Sequence, residues 1–400
     1  MKSPWSVCSL LILFPAHLFS QTPAGTAPAR TAPRTPAYTE TVLYSFGSIP
    51  NDGVNPYAAL ILDADNNLYG TNETGGRTGN GTVFRVDQNG TETVLYNFGN
   101  IPDAEDPNGG LIFDNAGNLY GTGEWGGANN DGAVFKLDRT GEEIVLHSFS
   151  GNDGSHPRGT LLRDQAGNLY GPTMEGGASG NGALFRLNEA GQETASYSFA
   201  GTPDGRYPIG GLIRDSAGNF YGTTYEGGVH GTGTIFEVTN RGKEIVLYSF
   251  DTFAFPTGKL VRDAEGNLYG TEYLGGPDET GSIFKLDTNN QLTVLYNFEN
   301  DQDGVFPTGG LLMDSAGNLY GTTLGGGLYG NGTVYEFYTS GVETVLHSFA
   351  GPPNDGAQPW TGVVSDAEGN LYGTTFYGGS TISQPLCGSG CGTVFKLSPN

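Results

Sequence analysis

Positive charge is scarce in this 400-residue sequence, where 18 Lys and Arg face 42 Asp and Glu for a formal net charge of −24. Long-range repulsion keeps such a chain off nucleic-acid phosphates and anionic lipid, and no local basic cluster offsets it, so no nucleic-acid partner is expected. Acidity on this scale serves solubility. Long apolar runs are also missing: the one extended stretch, Val7 to Phe19, is broken by Pro15 and His17 and is short for a membrane span. The motifs of common enzyme classes are absent too. There is no nucleophile elbow with a Ser-His-Asp order, no His-Glu-x-x-His, and no phosphate-binding Gly loop leading into a helix. Only three cysteines are present.

What the chain has in excess is glycine, 67 residues, together with 21 Tyr and 22 Phe. Few helix formers accompany them, a composition that suits many short strands joined by tight turns. At the N-terminus Lys2, the apolar stretch and then Ser20-Gln21 have the layout of a secretory signal over residues 1–20. A Pro/Ala/Thr-rich linker is expected over 21–39. Secretion or a periplasmic location follows, with no stable membrane insertion after cleavage. Cys387 and Cys391, spaced by Gly-Ser-Gly, are then expected to close a small-loop disulfide, since a metal site would need further ligands nearby.

The segment Asn-Leu-Tyr-Gly recurs with its Asn at 67, 118, 168, 219, 267, 318 and 370, steps of 51, 50, 51, 48, 51 and 52 residues, with Phe220 the single departure. A period near 50 with strand-like content points to propeller blades. One unit reads as a strand at Gly211 to Asp215, a turn at Ser216 to Asn219, a strand at Phe220 to Thr224, a Gly-rich loop, a strand at Thr234 to Val238, and a fourth at Ile245 to Phe250. The fold expected over 40–400 is therefore all-β, a single seven-bladed β-propeller of four-stranded antiparallel blades. Thr41–Phe46 is a fourth strand without its first three, and Thr393–Leu397 is a third strand without its fourth. Pairing them would close the ring and remove an open edge.

The run Asp-Ser-Ala-Gly-Asn-Leu-Tyr-Gly-Thr-Thr at 314–323, then Gly-Gly and Gly-Asn-Gly-Thr-Val-Tyr at 330–335, resembles the GloVer tandem repeat of exported bacterial proteins. The resemblance runs from about Glu40 to Asn400. It implies a β-propeller-like repeat protein with no established activity; members are noted for varied C-terminal surface anchors, whereas residues up to Asn400 carry no apolar tail or sorting segment.

Seven copies act as an internal control, because a residue present in every blade is most simply architecture, while an asymmetric ligand needs residues that differ between blades. Asp63, Asp114, Asp164, Asp215, Asp263, Asp314 and Asp366 are read as turn carboxylates accepting backbone N–H bonds. Asp63-Ala-Asp65 and Asp301-Gln-Asp303-Gly304 suggest calcium but lack a full ligand spacing, so neither metal nor cofactor is expected. His147 and His347 replace the fourth-strand tyrosines of the other blades and are read as aromatic-like substitutes.

Variation gathers in two loops of one face. The residue after a recurrent proline in the loop leading into each blade is Tyr57, Asn108, Arg158, Ile209, Thr257, Thr308 or Trp360, with His156, Arg206 and Lys259 around them. Before the Gly-Gly of the second loop stand Glu73, Glu124 with Trp125, Glu175, Tyr225 with Glu226, Glu272 with Tyr273, and Phe376 with Tyr377. Aromatic faces stack on sugar rings and carboxylates accept hydroxyl bonds, so the candidate ligand residues are Tyr57, Trp125, His156, Arg158, Glu175, Tyr225, Glu226, Tyr273, Trp360 and Phe376. The short leading loop Asp251 to Phe255 could open a notch beside Lys259 and Glu272.

Three functions fit these residues. The first is a secreted, monomeric binding module for a glycan or an extracellular protein. The second is a polysaccharide lyase or other carbohydrate-active enzyme, for which Glu175 with Glu226, or Arg158, His156, His230 and Tyr225, could be cast in acid–base roles. The third is an envelope or matrix protein with a featureless axial mouth.

Overall fold

The structure is a computed structural model that describes residues 38–251, 253–299, 302–380 and 387–400. The chain divides after Thr35, and all described residues fall in the second unit, Pro36–Asn400. The expected signal peptide and most of the expected linker lie outside the described residues. No helix among those residues is long and apolar enough to cross a membrane.

The fold is an all-β, seven-bladed propeller of antiparallel four-stranded blades. Blade four shows the plan: Ile213–Arg214, Phe220–Thr224, Thr234–Val238 and Glu244–Ser249 pair in chain order, from the axis outward. The expected first strand is longer than the observed one. Its leading glycines instead pack backbone on backbone at the axis, where a Cβ on Gly210 would lie 3.0 Å from the carbonyl oxygen of Gly258 in the next blade.

The seventh blade closes the ring. Tyr38–Ser45 pairs antiparallel with Thr393–Pro399, in register from Tyr38 with Pro399 to Ser45 with Thr393, and Thr393–Pro399 pairs in turn with Leu371–Thr375. Tyr38 and Thr39, at the end of the expected linker, already belong to this ladder.

Each motif residue has a physical task. Asp114 accepts from Ala116 N, Asn118 N and Asn118 Nδ2 at 2.7–2.9 Å and from the Tyr120 hydroxyl at 3.1 Å. Burial alone would raise its pKa, but these donors outweigh it and hold the carboxyl below its usual range. The glycine after the tyrosine lets the core ring of the same blade close down: a Cβ on Gly121 would lie 2.6 Å from Phe135 Cζ. Neighbouring blades meet edge to face, as in Phe98 against Phe135 at 5.0 Å and Phe349 against Phe395 at 5.1 Å.

Candidate functional site

One backbone device, repeated at every junction, aims the variable side chains at the axis. The residue before each recurrent proline, which is Asn55, Asp106, His156, Tyr207, Phe255, Phe306 or Gln358, adopts a positive φ between 47° and 61°. Its N–H donates to a carbonyl of the preceding blade, for instance His156 N to Asp131 O at 2.9 Å and Gln358 N to Asn331 O at 2.8 Å. The proline then lies over a glycine of that blade, so closely that a Cβ on Gly132 would sit 2.4 Å from Pro157 Cδ. A left-handed residue fixed by proline and a cross-blade bond is strained backbone that only tertiary packing sustains. The next residue is thereby presented at the ring centre.

At that centre the blades differ. Tyr57 and Trp360 meet at 5.6 Å between ring centroids, and Phe376 stands 6.2 and 6.3 Å from them, edge on. Beside them Arg158 donates through Nη2 to Glu124 Oε1 at 2.5 Å, and Asn108 donates to Glu124 Oε2 at the same distance. Glu124, Asn108 and the Arg158 side chain are all buried. Arg158 Nε and Asn108 Oδ1 have no hydrogen-bond partner although both are buried. The opposite arc is closed by Thr257 bonding to Thr308 O and Thr308 bonding to Trp360 O, each at 3.1 Å.

The electrostatics of this ring are perturbed by burial. Glu73 is pushed up to about 8, first by desolvation, then by Glu124 and Asp106, with Arg158 opposing. The Tyr57 hydroxyl is raised, again chiefly by desolvation, with Arg158 pulling it back. Burial works against the Arg158 charge, yet Glu124, Tyr57 and Glu73 together hold the guanidinium more firmly protonated than usual. A carboxyl raised by burial, a carboxylate paired with Arg158 and the guanidinium itself thus share a small volume. In the inner wall below, the hydroxyls of Thr71, Thr122, Thr223 and Thr271 are buried without partners.

The candidates split between this ring and the loops further out. Tyr57, Arg158, Trp360 and Phe376 come together, joined by Glu73, Glu124 and Asn108, which the sequence placed in the variable loops without marking as ligand residues. Trp125 packs on His156 at 4.3 Å, Tyr225 stacks on Phe255 at 4.8 Å and Tyr273 on Phe306 at 5.1 Å, so these three rings bind one blade to the next. Glu175 faces His156 at 3.6 Å and Glu226 faces Arg206 at 3.3 Å. Arg206 covers the Tyr207 ring at 4.1 Å, making a second polar group on blades three and four. Lys259 and Glu272 do not pair. Glu272 turns to Gly275, where a Cβ would lie 1.6 Å from its Oε2, while the Lys259 stem fills space beside Gly211 and Gly310.

Fold and ring together define a single-propeller repeat protein with an asymmetric polar–aromatic axial mouth. The chain belongs to the Gloeobacter/Verrucomicrobia repeat family, whose pattern matches residues 30–162, 126–312 and 252–400. No curated protein matches the sequence. Among solved structures it is similar to a streptogramin B lyase, at 16% identity and a TM-score of 0.61 over 91% of this chain and 98% of that one. It is similar also to a catalytically inactive virginiamycin B lyase from Staphylococcus aureus with quinupristin, at 14% identity and a TM-score of 0.60 over 90% of this chain and 98% of that one. A third is the extracellular domain of a hybrid two-component system from B. thetaiotaomicron, at 14% identity and a TM-score of 0.59 over 91% of this chain and 41% of that one. At such identities the likeness shows the fold alone.

Proposed function

We propose that the chain is a secreted binding module that takes a glycan at the axial ring of its loop face. The observation that carries this is the Tyr57–Trp360 ring pair beside Arg158 Nε and Asn108 Oδ1, two buried polar atoms with no protein partner. Rings of this kind stack on the apolar face of a pyranose. A buried unpartnered donor and acceptor cost free energy that a ligand's hydroxyls recover on binding. Export rests on the Lys2-to-Ser20 leader, and the similarity in fold to an extracellular domain is consistent with it.

A glycan array followed by thermal-shift measurement with its hits tests the reading, since a ligand that binds only the folded state raises its melting temperature. Trp360→Ala is expected to weaken binding at least tenfold while leaving the fold intact. A hit whose shift survives both Trp360→Ala and Tyr57→Ala removes the axial ring as the site, and an array without hits beside a tight extracellular protein partner would replace the glycan with a protein.

One observation favours a second reading, a polysaccharide lyase. Glu73, held up to about 8 next to the Glu124–Arg158 pair, has the mixed protonation that acid–base chemistry uses. Ultraviolet absorbance from unsaturated products on uronic-acid polymers, lost in Glu73→Gln, would decide for catalysis.

A further inference from the structure

Where each outer strand meets the next blade, a carboxylate of the following loop is held by a side chain of that strand. Tyr44 holds Asp52 at 2.8 Å, Tyr96 holds Asp103 at 3.0 Å and Tyr197 holds Asp204 at 2.8 Å. The first residue of the next outer strand brings a second carboxylate close, and Glu92, Glu143 and Glu244 are each raised to about 7, by burial first and then by the respective aspartate. At these three junctions a phenol therefore stands between two acids. At two junctions the phenol is an imidazole.

We propose that the second of these, Glu40, His347 and Asp355, is a site for a divalent transition-metal ion of the Zn²⁺ type that ties the N-terminal strand to blade six. One ligand atom from each residue lies within 4.8 Å of the others. His347 Nε2 and Asp355 Oδ2 are 3.2 Å apart. Two ligands about 2.0–2.1 Å from a tetrahedral ion stand roughly 3.3 Å from each other, so this pair needs almost no rearrangement. Glu40 supplies the third position with Oε1 buried and without a hydrogen-bond partner.

The supporting contacts resemble those that orient metal ligands elsewhere. Ala350 N donates to Asp355 Oδ2 at 2.7 Å and Gly356 N to Oδ1 at 2.6 Å, while Phe349 meets the His347 ring edge on at 4.8 Å. The His347 and Asp355 side chains keep 19% and 12% exposure, enough for an ion to enter and for water to complete four-fold coordination. One nitrogen with two carboxylates suits Zn²⁺ and its neighbours better than Ca²⁺, which takes six to eight oxygens.

The other histidine is an internal control. His147 holds Asp153 at 2.9 Å much as His347 holds Asp355, and Asp153 Oδ1 likewise accepts local donors, Ser150 N and Oγ at 2.8 and 2.9 Å. No third ligand closes on that pair among the described residues.

The test uses the untagged chain, stripped with chelator and titrated with Zn²⁺, Co²⁺ or Ca²⁺ while thermal unfolding and calorimetry are followed. Zn²⁺ is expected to bind one per chain and to raise the melting temperature by a few degrees, and Co²⁺ to give visible d–d bands. His347→Tyr restores the ring found at other junctions and should remove both effects, His147→Tyr should leave both, and Glu40→Gln should weaken binding at least tenfold. A wild-type protein unmoved by Zn²⁺, a full shift surviving in His347→Tyr, or an equal response to Ca²⁺ overturns the site. If His347→Tyr does not fold, Glu40→Gln decides alone, and undiminished binding there is equally fatal.

Discussion

The turn motif and the axial ring are built by the same seven repeats and obey opposite rules. At the turns, Asp63, Asp114 and Asp164 each clamp an Asn and a Tyr at the same spacing and with nearly the same bonds. At the ring, equivalent backbone positions carry Tyr57, Asn108, Arg158 and Trp360, of which the first and last meet each other and the middle two share Glu124. Repetition makes the scaffold stiff and redundant, and that stiffness lets one strained, proline-fixed residue per blade be replaced freely at its neighbour. Changes to shared architecture should therefore unfold the whole ring, and changes to the varied ring should mostly spare it.

The sharpest break in that comparison is the seam. A variant lacking Tyr38–Gly47 loses the fourth strand of blade seven and exposes the edge of Thr393–Pro399 together with Val394, Phe395 and Leu397, all fully buried. Uncovering such side chains costs about 1.5–3 kcal/mol each, a sum comparable with the stability of a whole domain, so the truncated chain should fail to fold cooperatively. Circular dichroism melting checks it, and an unchanged transition would mean that the seam is not what holds the ring.

Next in size is the inner collar. A Cβ on Gly309 would lie 2.3 Å from Gly362 N and 2.5 Å from Thr361 C, backbone atoms of the next blade that cannot turn aside. Gly309→Ala should destabilise by roughly 2–3 kcal/mol, an overpacking cost. At Gly231 a Cβ meets nothing within 4 Å, and there Ala pays only for its φ of +81°, about 1 kcal/mol. Equal denaturant midpoints for the two variants would contradict the idea of a packed axis.

Much of this was legible in the sequence because the signals were local and repeated seven times. Asn-Leu-Tyr-Gly with its preceding Asp encodes a turn in one stretch of chain, and Thr41–Phe46 announced the seam by lacking its own first three strands. The ring was legible only as a set of variable positions. Tyr57 meets Trp360 across some three hundred residues, Glu73 is noticed only once Glu124 is beside it, and Glu40 reaches His347 only when the ring closes. Trp125, Tyr225 and Tyr273 looked like the aromatics of a mouth, yet each packs on the left-handed residue of the next blade, Trp125 edge on and the two tyrosines stacked, in a conformation that composition does not reveal.

A smaller effect separates one turn from seven. Asp114→Ala removes the acceptor of four bonds and leaves the Asn118 amide and Tyr120 hydroxyl to water, at a cost of about 1–2 kcal/mol. Because the other turns stay intact, the loss should appear as a lowered midpoint with an unchanged denaturant slope. A variant that melts in two steps would show the blades to be energetically independent.

The smallest expected effect lies in the pH dependence, where turns and inter-blade acids pull in opposite directions. Asp114, Asp164 and Asp215 have folded pKa values below their unfolded ones, so they stabilise the fold above about pH 4, and that contribution fades as pH falls through the folded values. Glu92, Glu143 and Glu244 are raised from 4.5 to about 7, and Glu73 to about 8. For a carboxyl raised on folding, the neutral form is the one the fold favours. Its contribution is therefore complete below the unfolded pKa of 4.5 and declines as pH rises through 7 to 8. The melting temperature should be highest near pH 5 and slope downward toward pH 8.5. Glu143→Gln makes one junction permanently neutral and should shallow that slope slightly without moving the acid limb. A curve that instead rises from pH 5 to pH 8.5 would mean that these inter-blade acids remain ionised in the folded ring.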